Sequence, residues 1–218
     1  MILQGKKIYK SYGSLNVLRG IDIDIQKGEI VSIVGASGAG KSTLLHILGA
    51  LDKPDSGDVI INGSNLSQLN ATRLSKFRNN HIGFIFQFHN LLPEFSAFEN
   101  VCIPGYLGKY PQEEVENKAR HLLQMLGLSE RMDHKPSELS GGEQQRAAVA
   151  RALVNQPDIV FADEPSGNLD SKNAEDLHKL FFHLRETLGQ TFVIVTHNDG
   201  LARMADRKLE MMDGMMVK

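Results

Sequence analysis

Ile30-Val31-Ser32-Ile33-Val34 runs straight into Gly35-Ala36-Ser37-Gly38-Ala39-Gly40-Lys41-Ser42-Thr43, and the junction between the two decides the fold. The first five residues are a near-continuous apolar run of strand length, the pattern of a parallel strand buried on both faces. The residues from Gly35 to Ser42 satisfy G-x-x-x-x-G-K-[ST], and a helical pattern opens near Thr43. Glycines let the backbone wrap closely around an anion, so that successive N–H groups and the positive end of the following helix converge on it. On this reading Gly35, Ser37, Gly38, Ala39, Gly40, Lys41, Ser42 and Thr43 form a phosphate cradle. Lys41 brings a mobile charge to the β- and γ-phosphates, and Ser42 offers a hydroxyl to Mg²⁺, an ion that prefers octahedral oxygen ligands and keeps several waters. A glycine-rich connection with an exposed lysine would carry the same letters; the flanking strand and helix are what the cradle requires.

Working outward, three more apolar runs of the same kind occur: Ile82-Gly83-Phe84-Ile85-Phe86, Ile159-Val160-Phe161-Ala162 and Phe192-Val193-Ile194-Val195. Helical patterns separate them, including Leu177, Leu180, Phe181, Leu184 and Leu188 on one stripe. Alternating strand and helix give an α/β fold with a P-loop core. Before the cradle, Ile21, Ile23 and Ile25 alternate with Asp22, Asp24 and Gln26, the period of an antiparallel sheet with one face buried. Asn62-Gly63 and Asp213-Gly214 are tight-turn signals that follow further strands, the latter closing a last hairpin. From about 88 to 154 the pattern turns helical: Val115, Ala119, Leu122, Leu123 and Leu126, then Ala147, Ala150, Leu153 and Val154. This predicts an inserted helical subdomain within a discontinuous core of about 1–87 and 155–218.

Ile159-Val160-Phe161-Ala162 ends in Asp163 and Glu164, and ligands of open parallel sheets bind at the carboxyl ends of strands. Asp163 is placed to bind the metal, directly or through water, and Glu164 to polarise a water for attack on phosphorus. A solvated strand end is the plain alternative. His197, after the strand that ends at Val195, could hydrogen-bond a γ-phosphate or be an ordinary satisfied side chain. Gln87 closes another strand and by itself reads as no more than a cap. In Ser140-Gly141-Gly142-Glu143 the serine and the glutamate three residues on form a capping box. Two glycines in a first turn cost about 1 kcal/mol each relative to alanine, however, and they leave bare N–H groups for an external anion.

Composition sets the frame. The chain has 218 residues, a formal charge of −2 and 41% hydrophobic residues, the profile of an ordinary folded domain that buries roughly 70% of its unfolded surface. With no basic excess and no sustained heptads, a DNA- or ribosome-directed ATPase is disfavoured and nucleic acid is not an expected partner. No window approaches the ~18 apolar residues of a membrane span, and the N-terminus does not resemble a secretory signal. Cys102, the single cysteine, reads as a packed, inert thiol in a reducing compartment.

With these residues in hand, the chain resembles the ATP-binding subunit of ABC transporters over nearly its whole length. The resemblance implies residues 35–43 as Walker A, Gln87 as the Q-loop glutamine and a metal contact, and Leu139-Ser140-Gly141-Gly142-Glu143-Gln144-Gln145 as the signature. It implies Asp163 closing Walker B with Ser42 as its fellow metal ligand, Glu164 as catalytic base, Ser166-Gly167-Asn168-Leu169-Asp170 as the D-loop and His197 as the switch histidine. Tyr12 stands where that family stacks an aromatic on adenine, though it would also suit a plain strand. ATP and Mg²⁺ are the implied cofactors. The implied assembly is an ATP-dependent head-to-tail homodimer, each signature closing on the partner's nucleotide, with integral membrane subunits docking between Gln87 and Pro93.

Phe86-Gln87-Phe88-His89-Asn90-Leu91-Leu92-Pro93-Glu94-Phe95-Ser96-Ala97 and His134-Lys135-Pro136-Ser137-Glu138-Leu139 look like the lipoprotein-releasing branch. That implies an ATPase peripheral to the cytoplasmic side of the bacterial inner membrane, driving lipoproteins toward the outer membrane. The macrolide-efflux branch and the cell-division branch, a regulatory ATPase without transport, share much of the pattern. Ser166 and Asn198 stand where many relatives carry Thr and Asp.

Overall fold

Leu3–Tyr12 (β1) and Leu15–Ile25 (β2) pair antiparallel, and β2 buries Leu18, Ile21, Ile23 and Ile25 while the residues between them face solvent. In this computed structural model, which describes residues 1–217, Ile30–Val34 (β3) and Lys41–Leu48 (α1) follow. Ser56–Ile61 (β4) and Ser64–Asn65 (β5) complete a four-stranded sheet in the order β2-β1-β4-β5. Asn62 and Gly63, both at positive φ (48° and 77°), make the turn between those last two strands.

The second layer is a six-stranded sheet. After helix Ala71–His81 (α2) comes Ile82–Phe86 (β6), and then three helices: Ala97–Leu107 (α3), Gln112–Met125 (α4) and Gly141–Leu153 (α5). The chain returns through Ile159–Asp163 (β7), Ser171–Leu188 (α6), Thr191–Val195 (β8), Asp199–Met204 (α7), Arg207–Met212 (β9) and Met215–Met216 (β10). The sheet order is β10-β9-β3-β8-β7-β6, parallel except for the terminal β10.

Side-chain alternation in the parallel strands divides the core in two. Ile30, Val160, Ala162, Phe192 and Ile194 point to one face, where α3, α4, α5 and α6 supply Val101, Leu123, Val149 and Phe181. Val31, Ile33, Ile159, Phe161, Val193 and Val195 point to the other, against Leu44, Leu45 and Leu48 of α1 and the antiparallel sheet. Phe161, Phe181 and Phe192 are fully buried, each stabilising the fold by about 1.5–3 kcal/mol. A sheet covered on both sides explains the uninterrupted apolar runs.

One expectation needs amendment, and two features go beyond the sequence reading. The α6 stripe uses Ala174, Leu177, Phe181 and Leu184, whereas Leu188, in the last turn before the Gly189 cap, is 47% exposed. The last hairpin is also part of the core sheet, since β9 lies parallel to β3. Helix α2 carries no apolar signal: Asn70 caps it, and none of its residues is buried.

Candidate functional site

The carboxyl ends of β3, β6, β7 and β8 lie along one edge of the sheet, and each delivers a candidate residue there. After β3, Gly35 turns at φ 151°, where a side chain would strike the Met211 carbonyl of β9. The loop then reaches Gly40, which caps α1 in the left-handed region with no side chain bonded to the helix start and no acid in its first turn. The first-turn N–H groups of a helix have no intrahelical acceptor, so those of Lys41, Ser42 and Thr43 are free to meet an anion. Nζ of Lys41 folds back on the carbonyls of Gly35 (2.9 Å) and Ala36 (3.0 Å).

The structure brings Ser42 and Asp163 together across 121 residues of chain: Ser42 Oγ donates to Asp163 Oδ1 at 3.0 Å. Burial is the largest influence on the Asp163 carboxyl and raises its pKa, and Glu164 beside it pushes the same way; the Ser42 hydrogen bond, His46 and Lys41 oppose them. A deprotonated Asp163 therefore gains from a cation close by. Two hard oxygen donors suit a small ion that takes only a few ligands from protein. Among the described residues there is no cluster of three or more His, Cys, Asp or Glu side chains of the kind an all-protein metal cage would need.

Glu164 continues β7 through its N–H bond to Val195 (2.9 Å) but sits at φ 46°, a conformation that costs a non-glycine residue about 1–2 kcal/mol. Its carboxylate is held by His197, through Nδ1 at 2.8 Å and the backbone N–H at 3.2 Å. The imidazole itself is 73% exposed. Gln87 exchanges hydrogen bonds with Asn168, Nε2 to Oδ1 at 3.1 Å and Asn168 Nδ2 to its carbonyl at 3.2 Å. The glutamine is thus tied to the loop after β7, with no bond to Ser42 or Asp163.

Tyr12 ends β1 on the antiparallel sheet, with 52% of its surface exposed. Its hydroxyl donates to Asp52 at 2.6 Å, and Lys10 Nζ lies 5.0 Å from the ring centroid. The Asp52 bond is the main reason its pKa is raised. The ring is thereby held at an open face, as a stacking platform requires.

At the head of α5 the capping box is formed. Ser140 Oγ accepts from the Glu143 N–H (3.3 Å), and Glu143 takes bonds from Ser140 N (2.8 Å), Ser140 Oγ (2.9 Å) and Arg131 (3.0 Å). The two Ser140 bonds, more than Arg131, hold the Glu143 carboxyl below its ordinary pKa. Among the described residues, no hydrogen bond or ion pair joins residues 140–143 to residues 35–43. The chain thus carries two glycine-rich helix starts, one without a side-chain cap and one capped, that share no hydrogen bond within one copy.

Some neighbours escaped the sequence reading. His46, one turn and more along α1 from Lys41, places Nε2 3.6 Å from Asp163; only the helix register could have suggested it. His178 on α6 is buried and bonds Ser166 at 3.0 Å. Asp52 and Asn168 had no motif to mark them as partners of Tyr12 and Gln87.

Comparison with known proteins yields a family pattern described as ABC transporter, matching residues 18–167. A lipoprotein-releasing system ATP-binding protein, LolD, of Cytophaga hutchinsonii is 63% identical over 216 residues, covering 99% of both chains. The protein of the same name from Bacteroides fragilis is 59% identical, covering 96% of this chain and 97% of its own. Among solved structures, the ATP-binding cassette MJ0796, described as dimeric and in a post-hydrolysis state with ADP and Pi, superposes with a TM-score of 0.90 at 40% identity. That match covers 100% of this chain and 97% of the other.

Proposed function

The chain belongs to the ABC transporter family of ATP-hydrolysing subunits, and from that premise we propose that it powers a lipoprotein-releasing transporter. The observation that carries the assignment is the 63% identity, over 99% of both chains, to a relative bearing that name. The alternative branches have no comparable support, since the 59% and 57% relatives carry the same name.

The chemistry proposed is phosphoryl transfer to water, in which positioning and charge neutralisation account for most of the catalysis. Lys41 leaves the carbonyls of Gly35 and Ala36 for the β- and γ-phosphates, while the amides of the loop and of the α1 start take the remaining oxygens. Ser42 and Asp163 would hold Mg²⁺, which supplies positive charge to the same oxygens. Glu164, fixed by its strained backbone and by His197, orients the attacking water and takes its proton. His197 then serves either as partner to Glu164 or as donor to the γ-phosphate. Tyr12 receives the adenine ring, and Gln87 reaches the metal only after leaving Asn168.

Ser140, Gly141 and Gly142 serve a second copy. Support comes from their separation from residues 35–43 within one chain and from the dimeric state of MJ0796. The site is then composite and forms when two copies close head to tail on ATP. The capped Glu143 contributes to it by ordering the helix start.

Among the described residues, no helix is long and apolar enough to cross a membrane, so the transporter's spans would belong to separate subunits. Phe88 (69% exposed) and Leu92 (44%) present apolar surface in the segment 87–93 where those subunits would dock; docked there, the chain would lie against the cytoplasmic face of the inner membrane. Affinity capture from detergent-solubilised membranes, read by mass spectrometry, tests the assignment. Membrane subunits of a lipoprotein-releasing system are expected, and recovery of a cell-division or efflux partner would overturn it.

A further inference from the structure

The segment that follows Gln87 has no regular structure, yet α5 holds it, together with the strand end before it, at three levels. Gln145, 1% exposed, donates Nε2 to the carbonyl of Phe86 at 3.3 Å. Arg151 donates to the carbonyls of His89 (2.7 Å) and Asn90 (2.5 Å). His89 reaches back the other way, its Nε2 2.9 Å from the carbonyl oxygen of Gly141, the first residue of α5. From Gly141 to Arg151 is about 15 Å of helix, so the segment lies across most of the length of α5.

The His89 bond differs from the others in what it touches. The carbonyl of Gly141 belongs to the same rigid peptide plane as the N–H of Gly142. A donor on that oxygen therefore fixes the direction of the amide of Gly142, a buried residue at the head of α5. Within the helix the oxygen already accepts from the amide four residues on; its second lone pair is the one facing His89. Because a carbonyl only accepts, the imidazole must carry its proton on Nε2.

We propose that His89 is a positioning residue: its bond to Gly141 sets the Gly141–Gly142 peptide, so that a displacement of the segment 87–91 reorients the amides offered to a second copy. The proposal rests on the composite-site reading above. It makes one replaceable hydrogen bond part of the link between a docked membrane subunit and the distant nucleotide.

Two measurements on the full chain test it, with His89→Ala removing the donor and His89→Gln retaining an amide N–H at similar reach. In the nucleotide-free protein, hydrogen exchange of the amides at 141–144 should quicken in H89A and return to the parent rate in H89Q. In a Glu164→Gln background, H89A should need roughly three- to tenfold more ATP to dimerise, the equivalent of one net hydrogen bond. H89Q should come within twofold of the parent, and binding of a fluorescent ATP analogue to the monomer should be the same in all three. Unchanged exchange, unchanged ATP dependence, or equal defects in H89A and H89Q would each overturn the proposal. If the Glu164→Gln chain itself stays monomeric with ATP, the composite-site reading is what fails, and the exchange rates alone decide the role of His89.

Discussion

The carboxylate of Glu164 lies 2.8 Å from Nδ1 of His197, and the backbone N–H of the same histidine closes on it at 3.2 Å. The proposed base is therefore restrained from two sides before any water arrives. Replacing Glu164 with Gln keeps the size and the donor contacts but removes the proton acceptor. ATP hydrolysis should fall by about 10²- to 10⁴-fold while nucleotide still binds, and the variant should elute as an ATP-dependent dimer. Phosphate release together with size exclusion reads both; near-parental turnover would exclude Glu164 as the base.

Asp163 gives a prediction of opposite sign for stability and activity. Burial raises its pKa, so the ionised form is a cost to the nucleotide-free fold at neutral pH. Asp163→Asn should raise the melting temperature without nucleotide, by roughly 2–4 °C for each kcal/mol relieved in a chain of this size. Magnesium-dependent hydrolysis should meanwhile be lost. A variant that melts lower than the parent and hydrolyses ATP normally would contradict both halves.

Tyr12 is held by Asp52 through its hydroxyl, with Lys10 near the ring and about half of the residue exposed. Tyr12→Phe should bind ATP within about twofold of the parent. Tyr12→Ala should lose a stacking contact of about 0.5–1.5 kcal/mol, which raises the KM for ATP roughly three- to tenfold with kcat little changed. A fall in kcat at constant KM would place the tyrosine elsewhere in the mechanism.

Buried His178, bonded to Ser166, makes stability depend on pH. Burial lowers its pKa below the ordinary 6.5, an effect that Glu175 only partly offsets. The unfolded chain therefore takes up this proton first. Its contribution is complete above pH 6.5 and is lost as pH falls through 6.5 toward the lower folded value, with a slope of at most about 1.4 kcal/mol per pH unit for one proton. Urea titrations between pH 7.5 and 5.5 should show a shallower decline in His178→Leu than in the parent. Identical slopes would remove His178 from the account.

Residues with a strong physical signature were legible in advance. The four parallel strands could be read because a sheet covered on both faces needs apolar residues at every position, and the phosphate loop because its glycines meet a backbone demand no other residue satisfies. Helix α2 was not, since none of its residues is fully buried, only Leu74 and Phe77 pack partly against the core, and its clearest sequence signal is the cap at Asn70. The partnerships of Gln87 with Asn168 and of His89 with Gly141 join residues 81 and 52 positions apart. No local pattern encodes such pairs, and they emerge only when β6, β7 and α5 have been assembled. The place of β9 beside β3 is of the same kind: its alternating, half-polar sequence suits a hairpin, and tertiary packing adds the second neighbour.

Cys102, fully buried among the residues of α3 that pack against α5, is the one thiol of the chain, and its burial pushes its pKa upward. Little thiolate is offered to solvent at neutral pH. The protein is consequently a ready host for site-directed labelling: a cysteine introduced on the surface, for instance at Phe88, would be the only fast-reacting sulfur. Cross-linkers or spin labels placed one at a time could then trace which surface meets a membrane subunit and which meets a second copy, with no prior removal of a native cysteine.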